Sequence, residues 1–124
     1  MIEHEPGREL DVMVHRALEP SHILRNVGNE ELYWEPANFG RGVPVPAYST
    51  SLMAWDWSRE GWSWYTQEHM SRTIVVWRQG IGCFASVFQQ GVLVEQEPNR
   101  FRAQAYARSL CVLQWAERVE ASDG

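Results

Sequence analysis

Arg72-Thr73-Ile74-Val75-Val76-Trp77-Arg78-Gln79-Gly80-Ile81-Gly82-Cys83-Phe84-Ala85-Ser86-Val87-Phe88 is the stretch that decides the class of fold. Thr73 to Trp77 is a β-branched and aromatic run, and such side chains fit a pleated surface. Gly80 and Gly82 flank a turn. Cys83, Ala85 and Val87 then alternate with Phe84, Ser86 and Phe88, the period of two that marks a strand. Working outward, Trp62, Trp64 and Thr66 alternate with Ser63, Tyr65 and Gln67 on one side. On the other, Gln89-Gln90-Gly91 turns into Val92-Leu93-Val94. Short strands with tight connections predict an antiparallel meander of about four strands.

Helical patterns flank this region. Leu10, Met13, Val14, Ala17 and Leu18 recur at the spacing of one helix face, and Pro20 stops the pattern. Tyr48-Ser49-Thr50-Ser51 reads as an N-cap for a second helix through Leu52 and Trp57, closed by Gly61. Pro98-Asn99 opens a third, from Arg100 to Val119, with Ala103, Ala107, Leu110 and Leu113 along one stripe. Its many small side chains suit close packing on a sheet, and residues 120–124 are expected to fray. Between the first two helices, residues 21–47 hold three glycines and three prolines and read as a long ordered loop. Glu31 to Trp34 is the one extended piece expected there, with Tyr33, Trp34 and Phe39 as anchors. The expectation is therefore one α+β domain over residues 1–124. It is an α-β-α sandwich in which three helices cover both faces of a mostly antiparallel sheet. Leu10, Met13, Val14, Val75, Leu110 and Leu113 are its expected core.

Composition narrows the function. The chain has 124 residues, 44% hydrophobic and 22% charged, enough to bury a core within one domain. No apolar run approaches the roughly 20 residues of a membrane span. The acidic start, Met1 to Arg8, lacks the apolar core of a secretory signal, so a cytoplasmic location is expected. A net charge of −5 argues against nonspecific coating of nucleic acid. All 11 basic residues are arginine, the side chain suited to bidentate contact with phosphate or carboxylate. Cys83 and Cys111 are expected to be reduced and buried. Of seven tryptophans, four fall between Trp55 and Trp64. They serve either as core or as a surface for a planar ligand or a protein.

Gly7-Arg8-Glu9-Leu10-Asp11-Val12-Met13-Val14 and Pro46-Ala47-Tyr48-Ser49-Thr50-Ser51 carry a further signal. With a meander and an Ala/Arg-rich last helix after them, these two words resemble the phage ABA sandwich domain family. The first matches that family's G-R-E-x-D-x-x-V and the second its P-x-Y-S-T. Ser51 stands where the family continues with Asp, and Ala105-Tyr106-Ala107-Arg108-Ser109 lacks the cysteine of its last-helix word. The resemblance implies an α-β-α sandwich and a phage or prophage origin, where proteins of this size often blunt host defence. It brings no catalytic residues.

No convergent catalytic or metal-binding word stands out. Gly80-Ile81-Gly82 lacks the third glycine of a dinucleotide loop, and a Walker loop needs a lysine. His4, His15, His22 and His69 are scattered, with no H-x-x-x-H or C-x-x-C spacing. The expected protein is thus a non-enzyme without catalytic residues, metal or cofactor. Arg100, Arg102 and Arg108 crowd the start of the last helix, where positive charge opposes the helix dipole. A bound anion relieves that, as do salt bridges to Glu95 and Glu97. The expected ligand site joins Arg100, Arg102 and Arg108 with Trp62, Trp64 and Tyr33 around a small anionic, nucleotide-like molecule. The alternative is an aromatic patch that binds a host or phage protein. A homo-oligomer is expected in either case.

Overall fold

The structure is a computed structural model that describes residues 5–36, 40–55, 63–69, 72–79, 81–88, 96 and 98–123. Helix α1 spans Arg8–Leu18, with Glu9 and Asp11 in its first turn and His15 and Arg16 in its last, the charge order that suits a helix dipole. Strands β1 (Ile23–Val27), β2 (Glu30–Trp34) and β3 (Val43–Pro44) follow. A 3-10 turn covers Leu52–Trp55. Strands β4 (Ser63–His69), β5 (Arg72–Gln79) and β6 (Ile81–Phe88) form the meander, and α2 runs from Asn99 to Asp123.

The meander is as the alternation requires. It is antiparallel in the order β4-β5-β6, with Val75 opposite Thr66 on one side and Ala85 on the other. The rest of the expected sandwich needs correction. Mixed helix and sheet is right, but the described residues hold two α-helices, not three, and three strands of the meander. Val92-Leu93-Val94 lies outside the described residues. Of the segment expected as a second helix, Leu52–Trp55 is a 3-10 turn, and residues 56–62 lie outside the described residues. Its expected cap, Ser49, faces the start of α1 instead. The 21–47 loop holds a second three-stranded antiparallel sheet, β1-β2-β3. Gly28, at φ +67°, makes the two-residue turn that brings Val27 opposite Glu30. Trp34 pins the return: its indole N–H donates to the Gly40 carbonyl at 3.0 Å, and its ring lies where a side chain on Gly42 would stand. The C-terminal stretch expected to fray is helical to Asp123.

Helix α2 is the element on which both α1 and the meander pack. Its sequence suits that place. Ala103, Ala105, Ala107, Ser109, Cys111 and Val112 are all buried and point around the helix rather than along one stripe. A helix covered on more than one side needs small side chains where backbones approach. The Cys111 side chain is buried, as expected. Leu110 and Leu113 are half-buried against the core, and the Val75 and Cys83 side chains lie outside the described residues. The core joins Leu10, Val14 and Leu18 of α1 to Val45, Tyr48 and Trp55 and to the small face of α2.

On α1 the buried stripe is Leu10, Asp11, Val14, His15 and Leu18. Met13, expected in the core, is 37% exposed. The helix is rotated toward two polar residues, Asp11 and His15, which are 1% and 2% exposed. Burial of a polar group is tolerated only where it is hydrogen-bonded, and both of these are.

Candidate functional site

The two sequence words meet in space. Asp11 Oδ1 accepts from the Ser49 backbone N–H at 2.8 Å and from its hydroxyl at 2.7 Å. Asp11 Oδ2 accepts from Arg8 Nη1 at 3.0 Å, while Arg8 Nη2 donates to the Val45 carbonyl at 2.9 Å. The Ser49 hydroxyl in turn accepts the Gly7 N–H at 2.9 Å. Gly7, at φ +155° and ψ −172°, holds a backbone conformation open to glycine and strained for other residues. Ser49 therefore takes the place of a side-chain cap at the start of α1. This network satisfies every partner of a buried carboxylate, and its role is to clamp α1 to the 45–51 turn.

That clamp positions Tyr48 and, through it, a groove. The Tyr48 carbonyl accepts the Trp55 indole N–H at 2.8 Å, and the two rings meet edge to face at 5.3 Å between centroids. Trp55 lies on the floor of an open groove of 580 Å³ between the 3-10 turn and the start of α2. Leu52, Met53, Pro98 and Phe101 give it apolar walls, Thr50 and Ser51 add hydroxyls, and Arg102 and Arg108 bring positive charge. Met53 is 85% exposed at the rim. Arg102 is exposed and, among the described residues, makes no ion pair. Burial holds the Arg108 guanidinium below its ordinary pKa, with Cys111 pulling the other way. A guanidinium remains charged at neutral pH through such a shift, and an anion beside it offsets the lost hydration.

Two of the three expected arginines thus share one groove. Arg100 is exposed on the first turn of α2 and is not among the groove residues. Tyr33 stands elsewhere, on β2 against two histidines. Trp62 lies outside the described residues, as do the Trp64 side chain and the two glutamates, Glu95 and Glu97, that were the expected salt-bridge partners. Trp55 and Phe101 are the aromatic walls that the sequence reading did not pick. The signal for Phe101 was its place beside Arg102 at a helix start. Nothing in the sequence brought Trp55 to that helix.

A second polar cluster was missed outright. His15 Nδ1 lies 3.1 Å from the Tyr48 hydroxyl, and His15 Nε2 lies 3.0 Å from His22 Nδ1. His22 Nε2 faces the Glu19 carboxylate at 3.9 Å. Tyr33 stacks on His22, with centroids 5.0 Å apart and planes 7° apart, and leans on His15 at 4.3 Å. The spacing of His15 and His22 is seven residues, and a helix end and a chain reversal lie between them. No linear pattern announces that contact. Among the described residues no group of three or more potential ligands can hold a metal ion, and no helix is long and apolar enough to cross a membrane. No family model matches this chain, and no curated protein or solved structure matches it.

Proposed function

We propose that the chain is a non-enzymatic binding protein whose groove beside α2 takes a planar, anionic molecule of nucleotide-like chemistry. One observation carries this reading: Arg102 and Arg108 line the same groove as Trp55 and Phe101. Two guanidinium groups beside aromatic and apolar walls match a ligand with a flat apolar body and a phosphate-like group. Stacking on an aromatic ring contributes about 1–3 kcal/mol per base in single-strand binders, and a charge-assisted contact fixes the other end. Resemblance in the two words that form the Asp11–Ser49 clamp supports a phage or prophage origin. In that setting, capture of a host signal in the cytoplasm is the corresponding role.

Calorimetry with a panel of cyclic and linear nucleotides tests the reading. Arg102→Glu is expected to abolish the heat while circular dichroism and the melting transition stay as in the parent, because Arg102 is exposed. A panel with no heat at all overturns the proposal.

The groove supports one other reading. Met53 and Phe101 are exposed beside Leu52, an apolar rim of the kind that anchors a protein partner. Under that reading Met53→Asp, not Arg102→Glu, is the substitution that abolishes binding.

A further inference from the structure

Strand β1 is an uncovered edge. It pairs with β2 on one side, and among the described residues no strand pairs with it on the other. The far edge of the same sheet, β3, is two residues long and includes Pro44, which has no N–H to offer. β1 has no proline, and all of it but Leu24 is exposed. One bond shows which of its backbone groups face the open side. The Glu31 carbonyl accepts the Val45 N–H at 3.0 Å, on the β3 side of β2. The N–H and C=O of a strand residue point the same way, so the Asn26–Glu31 pair exchanges no backbone hydrogen bonds. Asn26 and, by the period of two, Leu24 therefore turn their backbone groups to the open edge.

The side chains of this edge sort by face. Leu24 and Tyr33 pack on the core. Ile23, Arg25 and Val27 lie on the face turned away from it, opposite Trp34, Leu32 and Glu30 in that order. Val27 is 53% exposed. Arg25 and Glu30 are exposed too, and neither makes an ion pair among the described residues.

We propose that the partner of this edge is a second copy of the chain, joined β1 to β1 about a two-fold axis at Asn26, so that Arg25 of each copy meets Glu30 of the other. Charge selects the register. Three two-fold registers join the outward groups over more than one residue of the strand, centred on Leu24, Arg25 or Asn26. Centring on Arg25 sets that residue against its own copy in the closer, non-hydrogen-bonded kind of pair, where like charges repel. Centring on Leu24 sets Arg25 beside the partner's Ile23 and gives it no carboxylate. Centring on Asn26 sets Arg25 against the partner's Val27, whose neighbour on β2 is the partner's Glu30. Arg25 and that glutamate are then two strand spacings apart, about 10 Å between Cα atoms. An extended arginine and glutamate close that span between them. The arginine stem covers the exposed valine on the way, and the two-fold axis makes the contact twice. The interface uses no residue of the groove, so it stands whether or not the groove takes a ligand.

Sedimentation of the full chain over a range of concentrations, at low and at raised salt, measures the association. A dimer that weakens with salt is expected, because its ion pairs are at the surface. Arg25→Glu and Glu30→Arg should each weaken it about tenfold or more, since each places like charges together at both symmetric contacts. The double variant Arg25→Glu/Glu30→Arg should restore it, and circular dichroism should show the parent fold throughout. Asn26→Cys, mildly oxidised, should give a covalent dimer, because opposite residues of a hydrogen-bonded pair lie within disulfide reach. Should a reversal fail to fold, that cysteine variant decides alone, and a lasting monomer under oxidation overturns the proposal. A parent that is monomeric at every concentration overturns it too. So does a dimer indifferent to both reversals, or a double variant as weak as the single ones. Loss of the dimer in Met53→Asp, with both reversals silent, moves the interface to the groove.

Discussion

Ser49 carries more of this fold than its size suggests. Its hydroxyl has one hydrogen, which goes to Asp11 at 2.7 Å, the shorter and charge-assisted contact. Its lone pairs serve the Gly7 N–H, so one side chain satisfies a buried carboxylate and the start of a helix together. In Ser49→Ala the backbone N–H still reaches Asp11, but Asp11 and Gly7 each lose a partner. The expected loss is about 2–3 kcal/mol, from the cost of leaving buried polar groups unmatched. Urea unfolding followed by circular dichroism measures it. An unchanged midpoint would show that water replaces the hydroxyl. At this scale the sequence was half legible. Gly7-Arg8-Glu9-x-Asp11 and Tyr48-Ser49 stand out as words, but Ser49 reads as a cap for the segment that follows it. It caps a helix 42 residues earlier. Capping signals are local in sequence, and this bond is not.

At the scale of elements, α2 shows what small residues accomplish. Ala105 and Ala107 are fully buried between partners that approach on more than one side. Ala107→Leu inserts three heavy atoms where no space is left. Overpacking of this kind costs about 1–3 kcal/mol, and a thermal melt should show a clearly lower midpoint than for a half-buried control such as Leu113→Met. The strands divide by the same logic of pattern. The meander was readable because β-branched runs and glycine turns coincide in Arg72 to Phe88. The first sheet was not, because Ile23–Val27 is mostly exposed and does not alternate, and β3 is two residues long. Its strands are held by the Gly28 turn and by Trp34 on Gly42, contacts that composition reads as loop.

At the scale of the whole molecule, apolar surface remains uncovered. Ile23, Val27 and Val43 are exposed on the first sheet, and Met53 and Phe101 on the groove rim. The strands β1 and β3 are edges of that sheet, and an open edge is a template for pairing. A two-fold dimer is the expected association. Light scattering should give a mass that rises above the 14.4 kDa of one chain with concentration. A constant monomer mass up to about tens of micromolar, the range of weak specific complexes, would remove this expectation. Should Met53→Asp alone return the protein to monomer, the groove is the interface and the ligand reading yields to it.

The sequence by itself determined the mixed class of the fold, the first and last helices and the antiparallel meander. It also marked the arginines at the start of α2 as charges in need of company. Each of these rests on local periodicity, on β-branched runs or on the dipole of one helix, and local physics is written in neighbouring residues. Tertiary structure alone decided that α1 turns Asp11 and His15 inward and Met13 outward, because a buried polar side chain is stable only with partners, and besides Arg8 these include His22, Tyr48 and Ser49, distant in sequence. It alone placed Trp55 beside Arg102 and Arg108, and His22 against His15. Hydrogen bonds between distant segments select among helix faces that hydrophobic spacing leaves nearly equal, and no linear pattern records which segments will meet.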